Sequence, residues 1–135
     1  MGKKFDQLAF ILGMKKNKYP QAIGSLFMLD AKTGDLYACA LGQGLLDTVM
    51  DETDVRRQLK TVSDEELDTS FVIIDGKPKE VEVRISSDLE EQGNEFLNEF
   101  NFPARFTGFI TDRNDDNRLP IPEIAAMARE EFGIE

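Results

Sequence analysis

The chain has 135 residues, of which 41% are hydrophobic, with one cysteine, no histidine and a formal net charge of −10. This length and hydrophobic content are enough for one domain with a buried core. The missing histidine removes the usual general base and the commonest transition-metal ligand, and a single thiol cannot form an internal disulfide or a cysteine-rich zinc site.

The charge is unevenly distributed along the chain. Residues 1–46 carry six basic and three acidic residues, a net charge of +3, whereas residues 47–135 carry ten basic and 23 acidic residues, a net charge of −13. Because nucleic-acid binding depends on neutralising phosphates, this composition opposes direct contact with nucleic acid and favours a protein partner with a basic surface. No apolar segment approaches the roughly 20 residues that span a bilayer, and the first residues do not have the pattern of a secretory signal. We therefore expect a cytoplasmic protein that does not enter membranes.

The N-terminal region predicts an amphipathic helix. Apolar side chains recur at helical spacing over residues 4–16, and the predicted buried face consists of Phe5, Leu8, Ala9 and Leu12. The helix ends in a cluster of positive charge that the helix dipole favours, formed by Lys15, Lys16 and Lys18. The run SLFMLD at 25–30 then predicts a strand, followed by a tight turn at Thr33-Gly34.

Residues 37–50 predict a buried helix, because the apolar positions fall on one face, at Leu41, Leu45 and Val49. Gly42 and Gly44 each cost such a helix about 1 kcal/mol relative to alanine. Glycines kept at this cost indicate that another element packs closely against the helix.

The middle of the chain predicts a short helix near residues 55–62 and then a β-hairpin. In the hairpin segment FVIIDGKPKEVEVRI, residues 71–85, apolar and charged side chains alternate in the second strand, and Asp75-Gly76 predicts the turn. An exposed strand of this hairpin is a candidate edge for a homodimer.

The last third of the chain predicts two helices separated by a strand. Ser87 and Glu90 have the spacing of a capping box and begin a helix from about residue 88 to residue 100. RFTGFIT, residues 105–111, predicts the strand. Pro122 in the first turn and Gly133 as the stop delimit a C-terminal helix. The whole pattern predicts a single α+β domain, with helices packed on a small, partly antiparallel sheet.

The segment TDRNDDNRLPIPE, residues 111–123, has the residue types of a metal site. Counted from Asp112, it has the register of an EF-hand calcium loop, in which oxygen ligands alternate along the loop and the twelfth residue is a bidentate Glu. The calcium ligands in this interpretation are the side chains of Asp112, Asn114, Asp116 and Glu123 and the carbonyl group of Arg118. Asn117 at the sixth position, where EF-hands have glycine, and Pro120 at the ninth position oppose it.

Two other interpretations of the same segment remain open. The first is a magnesium site for phosphoryl chemistry, with the candidate ligands Asp112, Asp115, Asp116 and Glu123. The chain has no glycine-rich phosphate loop, which opposes this interpretation. The second is a structural turn without a ligand, in which the Asp and Asn side chains bond to the backbone.

Two stretches of the chain share a pattern with known sequences. KTGDLYACALGQGLLD, residues 32–47, has a turn and then Cys-Ala-Leu-Gly before an apolar helix, and RNDDNRLPIPEI, residues 113–124, has Asn-Asp and an Arg before a helix entered through Glu. Together they resemble a family of small uncharacterised proteins of bacteria and their phages, through Cys39, Ala40, Leu41, Gly42, Asn114, Asp115, Arg118 and Glu123. The resemblance implies an origin more than an activity, and it implies that Asn114-Asp115 is a structural joint between the sheet and the last helix, near Cys39. The chain departs from that family where Arg113 replaces an aromatic residue and where its acidic middle resembles an insertion.

The leading functional hypothesis is a non-enzymatic accessory or regulatory protein, with no catalytic residue and no cofactor. It would bind a partner protein, as an inhibitor or as a nucleic-acid mimic, through an acidic surface formed by Asp88, Glu90, Glu91 and Glu95. A phage-encoded protein of this kind would act in the cytoplasm of the host cell. The alternatives are a calcium- or magnesium-binding module at residues 112–123 and a carboxylate-dependent enzyme of unknown substrate.

Overall fold

The computed structural model of the chain describes residues 4–135. Its elements in chain order are α1 (Gln7–Lys16), β1 (Gln21–Ile23), β2 (Phe27–Asp30), β3 (Leu36–Ala38), α2 (Ala40–Thr48), α3 (Glu52–Lys60), a 3₁₀ turn (Asp64–Glu66), β4 (Asp68–Ile74), β5 (Lys77–Arg84), α4 (Ser87–Glu99), α5 (Phe106–Thr111), a π-helical turn (Asp112–Asp116) and α6 (Ile121–Phe132). Helices surround one mixed sheet in the described part of the chain, so the α+β prediction is confirmed.

The five strands close into a small barrel in the order β1-β3-β2-β5-β4. β1 runs parallel to β3, and the other neighbouring pairs are antiparallel. The predicted hairpin is confirmed as β4 and β5, with Asp75 and Gly76 in its turn. The predicted open edge for a homodimer is shortened, because β4 pairs with β1 on its other side and β5 pairs with β2 at Val83 and Arg84. In the described residues, the register gives residues 77–81 of β5 no second strand, and an edge there stays a prediction.

A cluster of phenylalanines joins the helices on one side of the barrel. The ring of Phe10 in α1 lies 5.0 Å from the rings of Phe100 and Phe102, between centroids, and the rings of Phe102 and Phe106 stack 3.9 Å apart. Each such pair contributes about 0.5–1.5 kcal/mol beyond the area that it buries. The cluster therefore ties α1, α4 and α5 into one core.

α1 packs through a face that overlaps the predicted one only in part, since Phe5 and Leu8 pack against the core as partly buried residues. Its buried residues are Phe10, Ile11, Gly13 and Met14, whereas Leu12, assigned to the core from its spacing, exposes 41% of its surface. A Cβ atom on Gly13 would lie 2.5 Å from the Cβ atom of Asp47 in α2. Close approach of α2 therefore requires glycine on this side of α1, and that contact selects which apolar side of the helix is buried.

The helix predicted over 37–50 begins at Ala40, because Tyr37 belongs to β3. The expected close approach to its glycines is confirmed. A Cβ atom on Gly42 would lie 2.3 Å from the carbonyl oxygen of Leu26, and one on Gly44 would lie 2.6 Å from the ring of Phe10.

The predicted strand RFTGFIT is wrong, since these residues form α5. Phe106 and Ile110, four residues apart, are its buried side chains, and a short apolar run of this kind fits a helix or a strand equally well by periodicity. The five strands of the described residues close the barrel without this segment. The predicted helices near 55–62, 88–100 and the C-terminus are confirmed as α3, α4 and α6, and the left-handed conformation of Gly133 ends α6. Within residues 4–135, none of the helices combines the length and the apolar character needed to cross a membrane.

Candidate functional site

Asn114, one of the residues proposed as a calcium ligand, lies at the centre of a buried hydrogen-bond network. Its side-chain oxygen accepts hydrogen bonds from Nε2 of Gln21 and from the backbone N–H of Ala40, each at 3.0 Å. Its side-chain nitrogen donates to the carbonyl oxygen of Ala22 at 2.9 Å and to the carboxylate of Asp115 at 2.7 Å. Only 1% of the residue is exposed.

We call Asn114 and its partners Gln21, Ala22 and Ala40 the Asn114 joint. Gln21 and Ala22 belong to β1, and Ala40 is the first residue of α2. The first N–H groups of a helix lack a partner within the helix, and the side-chain oxygen of Asn114 satisfies one of them. The joint therefore ties the π-helical turn to the barrel and to α2, beside Cys39, and Gln21 also donates to the carbonyl oxygen of Leu119 just before α6.

Beside the joint lies a cleft of about 170 Å³, which brings together four residues from three distant parts of the sequence. They are Cys39, Glu90, Asn114 and Asp115. Asp115 accepts a hydrogen bond from the backbone N–H of Gly24 at 3.0 Å. The carboxylate of Glu90 accepts from the N–H of Leu26 at 2.8 Å and from that of Phe27 at 3.2 Å. The two carboxylates thus hold the segment 24–27, which leads into β2, from two sides.

Glu90 does not have the role predicted for it in a capping box, although it lines an open groove beside α4 together with Glu91 and Glu95. The side chain that caps α4 is that of Ser86, which accepts a hydrogen bond from the N–H of Leu89 at 3.2 Å. The carboxylate of Glu90 instead points inward to the backbone of Leu26 and Phe27. Burial raises the pKa of this carboxyl group above its ordinary value, and the two N–H donors oppose that rise.

Cys39 caps the N-terminus of α2, and its Sγ atom accepts a weak hydrogen bond from the N–H of Gly42 at 3.4 Å. The thiol is buried, and burial raises its pKa to about 12, with a further contribution from the negative charges of Glu90 and Asp115. A thiol in this state is protonated at neutral pH and is a poor nucleophile. The cleft therefore combines a neutral thiol with two carboxylates that are already bonded to the backbone.

The other proposed metal ligands lie around the π-helical turn. In the described residues 4–135, no group of three or more His, Cys, Asp or Glu side chains is arranged to hold a metal ion. Both lone pairs of the Asn114 oxygen are taken by its two donors, so ligation through this atom requires breaking those bonds. Glu123 lies in the first turn of α6, where the helix dipole favours a negative charge. The backbone carbonyl of Asp112 accepts a hydrogen bond from the N–H of Asn117 at 3.1 Å, as a helical turn requires.

Arg118, whose carbonyl group is the remaining proposed ligand, has a positive φ of 52°. This left-handed conformation is uncommon for a residue other than glycine or asparagine. Its guanidinium group lies 5.3 Å from the centre of the ring of Phe71, a half-exposed residue of β4. Arg118 therefore folds back over the barrel instead of pairing with the carboxylates of its own turn.

The exposed acidic residues of α4 face a second acidic segment that the sequence analysis did not include. Glu91 and Glu95 line an open groove of about 730 Å³ together with Glu66 and Asp68, and all four residues are exposed. We call these four residues the acidic groove. Asp88, also exposed, lies one turn before Glu91 on the same helix. The acidic run DEELD at 64–68 was the available signal for the second side of the groove.

Among the described residues, no Lys or Arg side chain lines the acidic groove. Within residues 4–135, no ion pair involves any of its four carboxylates. The neighbouring pair joins Arg84 to Asp64, outside the groove. The geometry is therefore that of an open surface with unneutralised negative charge on both sides, which attracts positively charged groups.

Comparison of the chain with protein-family models, with curated proteins and with solved structures gave no match.

Proposed function

We propose that this chain is an acidic, non-enzymatic accessory protein that acts by binding a partner protein with a basic surface. The observation that carries the proposal is the acidic groove, in which Glu66 and Asp68 line the same open space as Glu91 and Glu95. Several like charges on one surface add to a single negative potential, which attracts a partner with a basic surface. The surface proposed from the sequence therefore changes in two respects. Glu66 and Asp68 join it, and Glu90, which also lines the groove, is already bonded to the backbone of Leu26 and Phe27.

Nucleic-acid mimicry is one form of this function. The carboxylates on the two sides of the groove would take the place of phosphates in the binding site of a protein that normally contacts nucleic acid. Such a protein has a groove lined with Lys and Arg, and its attraction to the acidic groove is screened by salt over about 10 Å at 0.1 M ionic strength. Binding should therefore be strong at low salt and weak at high salt.

The test uses two variants with the same change in charge. Glu91→Lys/Glu95→Lys reverses two charges of the acidic groove, and Glu80→Lys/Glu82→Lys reverses two exposed charges of β5 outside it. Immobilised wild-type protein should recover a basic protein from lysate at low salt and release it when salt is raised. The groove variant should lose that protein and the β5 variant should retain it.

Either of two results would contradict the proposal. The first is that the wild-type protein recovers no partner at low salt. The second is that the β5 variant loses the partner to the same extent as the groove variant, since the effect would then follow from net charge and not from the groove. Purified partner, once obtained, should bind with an affinity that falls as salt rises, and addition of nucleic acid should compete if the partner's site is a nucleic-acid site.

A further inference from the structure

A second surface, separate from the acidic groove, lies between α1 and α6. It is an open groove of about 690 Å³. Its floor is formed by buried apolar residues of both helices and of the C-terminal segment, namely Ile11, Ala125 and Ile134, and the exposed residues Leu12 and Ala126 stand beside them. Among the described residues, Leu12 and Phe71 are the exposed large hydrophobic side chains, and Leu12 is the one in this groove.

The rim of this groove carries charges of both signs. Lys15 and Arg129 contribute positive charge, and Glu130 and Glu135 contribute negative charge. All four are exposed, and none takes part in an ion pair within residues 4–135. A partner with a surface of one sign would meet repulsion from one half of this rim, whereas a surface with the same mixture of charges can oppose each group with its complement.

The chain itself has such a surface. In a dimer with two-fold symmetry the same patch of each protomer meets its counterpart, so that a contact between two different residues occurs twice. Lys15 of one protomer can then face Glu130 of the other, and the reverse. The exposed side chain of Leu12 can cover the apolar floor of the opposite groove in the same arrangement.

The overall charge also favours this face for self-association. Two copies of a chain with net charge −10 repel each other, and most strongly through the residues 47–135, which carry −13. α1 belongs to residues 1–46, which carry +3. α6 belongs to the acidic part of the chain, but the rim that it shares with α1 carries two charges of each sign, so an approach through this rim meets less repulsion than one through the acidic groove.

We propose that the groove between α1 and α6 is the interface of a homodimer with two-fold symmetry, formed by Leu12 on the apolar floor and by pairing of Lys15 with Glu130 of the partner subunit. This interface is independent of the acidic groove and leaves that groove free on both protomers. It also gives a reason for the exposure of Leu12, which the helical pattern alone places in the core.

Sedimentation of the full chain, from about 1 μM to about 500 μM to cover weak dimers, tests this interface. The wild-type protein should shift from monomer to dimer as its concentration rises. Leu12→Glu should weaken dimerisation by at least about tenfold, because it places a charge on the apolar floor. Phe71→Glu is the matched control, since it makes the same change at the other exposed hydrophobic residue and should leave the dimer unchanged. Circular dichroism checks that each variant is folded.

A charge exchange tests the geometry of the proposed pairing. Lys15→Glu should weaken the dimer, and the combination Lys15→Glu/Glu130→Lys should restore it, because a two-fold contact regains both pairs. The proposal is overturned if the wild-type protein stays monomeric over the whole range. It is also overturned if Phe71→Glu disrupts the dimer as much as Leu12→Glu does, or if the charge exchange restores nothing.

Discussion

Replacement of Asn114 by alanine tests whether the joint at the π-helical turn holds the fold together. The substitution removes all four hydrogen bonds of the side chain. Gln21 keeps its bond to the carbonyl of Leu119, and Asp115 keeps its bond from Gly24. The N–H of Ala40 and the carbonyl of Ala22, both in fully buried residues, lose this partner.

The expected loss follows from those two backbone groups. A buried donor or acceptor left without a partner costs about 1–3 kcal/mol. We therefore expect Asn114→Ala to lower the free energy of unfolding by about 2–6 kcal/mol, a large part of the total for a domain whose stability is about 5–15 kcal/mol. Urea unfolding should show a lower midpoint with an unchanged slope.

Asn94→Ala is the matched control for this experiment. Asn94 lines the same cleft but is exposed, so its loss should change the free energy of unfolding by no more than about 0.5 kcal/mol. The reasoning fails if Asn114→Ala costs less than about 1 kcal/mol, because at least one of the two backbone groups would then have found another partner. The measurement in EDTA also separates this structural role from metal binding, since a metal ligand matters only when the ion is present.

Three further results are expected. Gly42→Ala should destabilise the protein by several kcal/mol, because its Cβ atom would lie 2.3 Å from the carbonyl oxygen of Leu26. Gly108→Ala places its Cβ atom where no atom of another element lies within 4 Å, so it should stabilise α5 by up to about 1 kcal/mol. Equal effects of the two substitutions on urea unfolding would contradict this reasoning. Burial raises the pKa of Glu90 in the folded chain, so ionisation of this group opposes folding at neutral pH, and that opposition is lost as the pH falls through the raised pKa toward the ordinary value. The stability of the wild-type protein relative to Glu90→Gln should therefore rise over that pH window, and a constant difference would refute the assignment. Finally, millimolar calcium or magnesium added after EDTA should leave the thermal midpoint unchanged, because ligation through Asn114 breaks two hydrogen bonds; a calcium-specific rise that is lost in Asp112→Ala would instead establish the EF-hand-like site.

The elements that the sequence predicted well are those with a local signature. The β4–β5 hairpin follows from alternation and from Asp75-Gly76, and α6 follows from a proline near its start and a glycine at its end. The sequence also predicted that another element packs closely against Gly42, because a glycine inside a helix lowers its stability unless packing requires it. In each of these cases the information lies within a few neighbouring residues.

The elements that the sequence predicted wrongly are those in which two local solutions have similar energy. The apolar positions of α1 allow more than one buried side, and the contact of Gly13 with α2 selects the side that leaves Leu12 exposed. The pattern of RFTGFIT fits a strand or a helix. The five strands of the barrel pair with one another without this segment, and the segment forms a helix. Which of the two structures forms depends on contacts with residues far away in the sequence, and the sequence of the segment does not contain that information.

The sequence by itself determined the fold class, the uneven charge, the absence of histidine and the residue types of the 112–123 segment. Only the tertiary structure decided what those residue types do. Asn114 bonds to Ala22, 92 residues away, and to Ala40, 74 residues away, and Glu90 bonds to the backbone 64 residues before it. A carboxylate or an amide has the same donors and acceptors in any sequence, and only the folded chain determines whether backbone groups, a metal ion or a partner protein satisfy them.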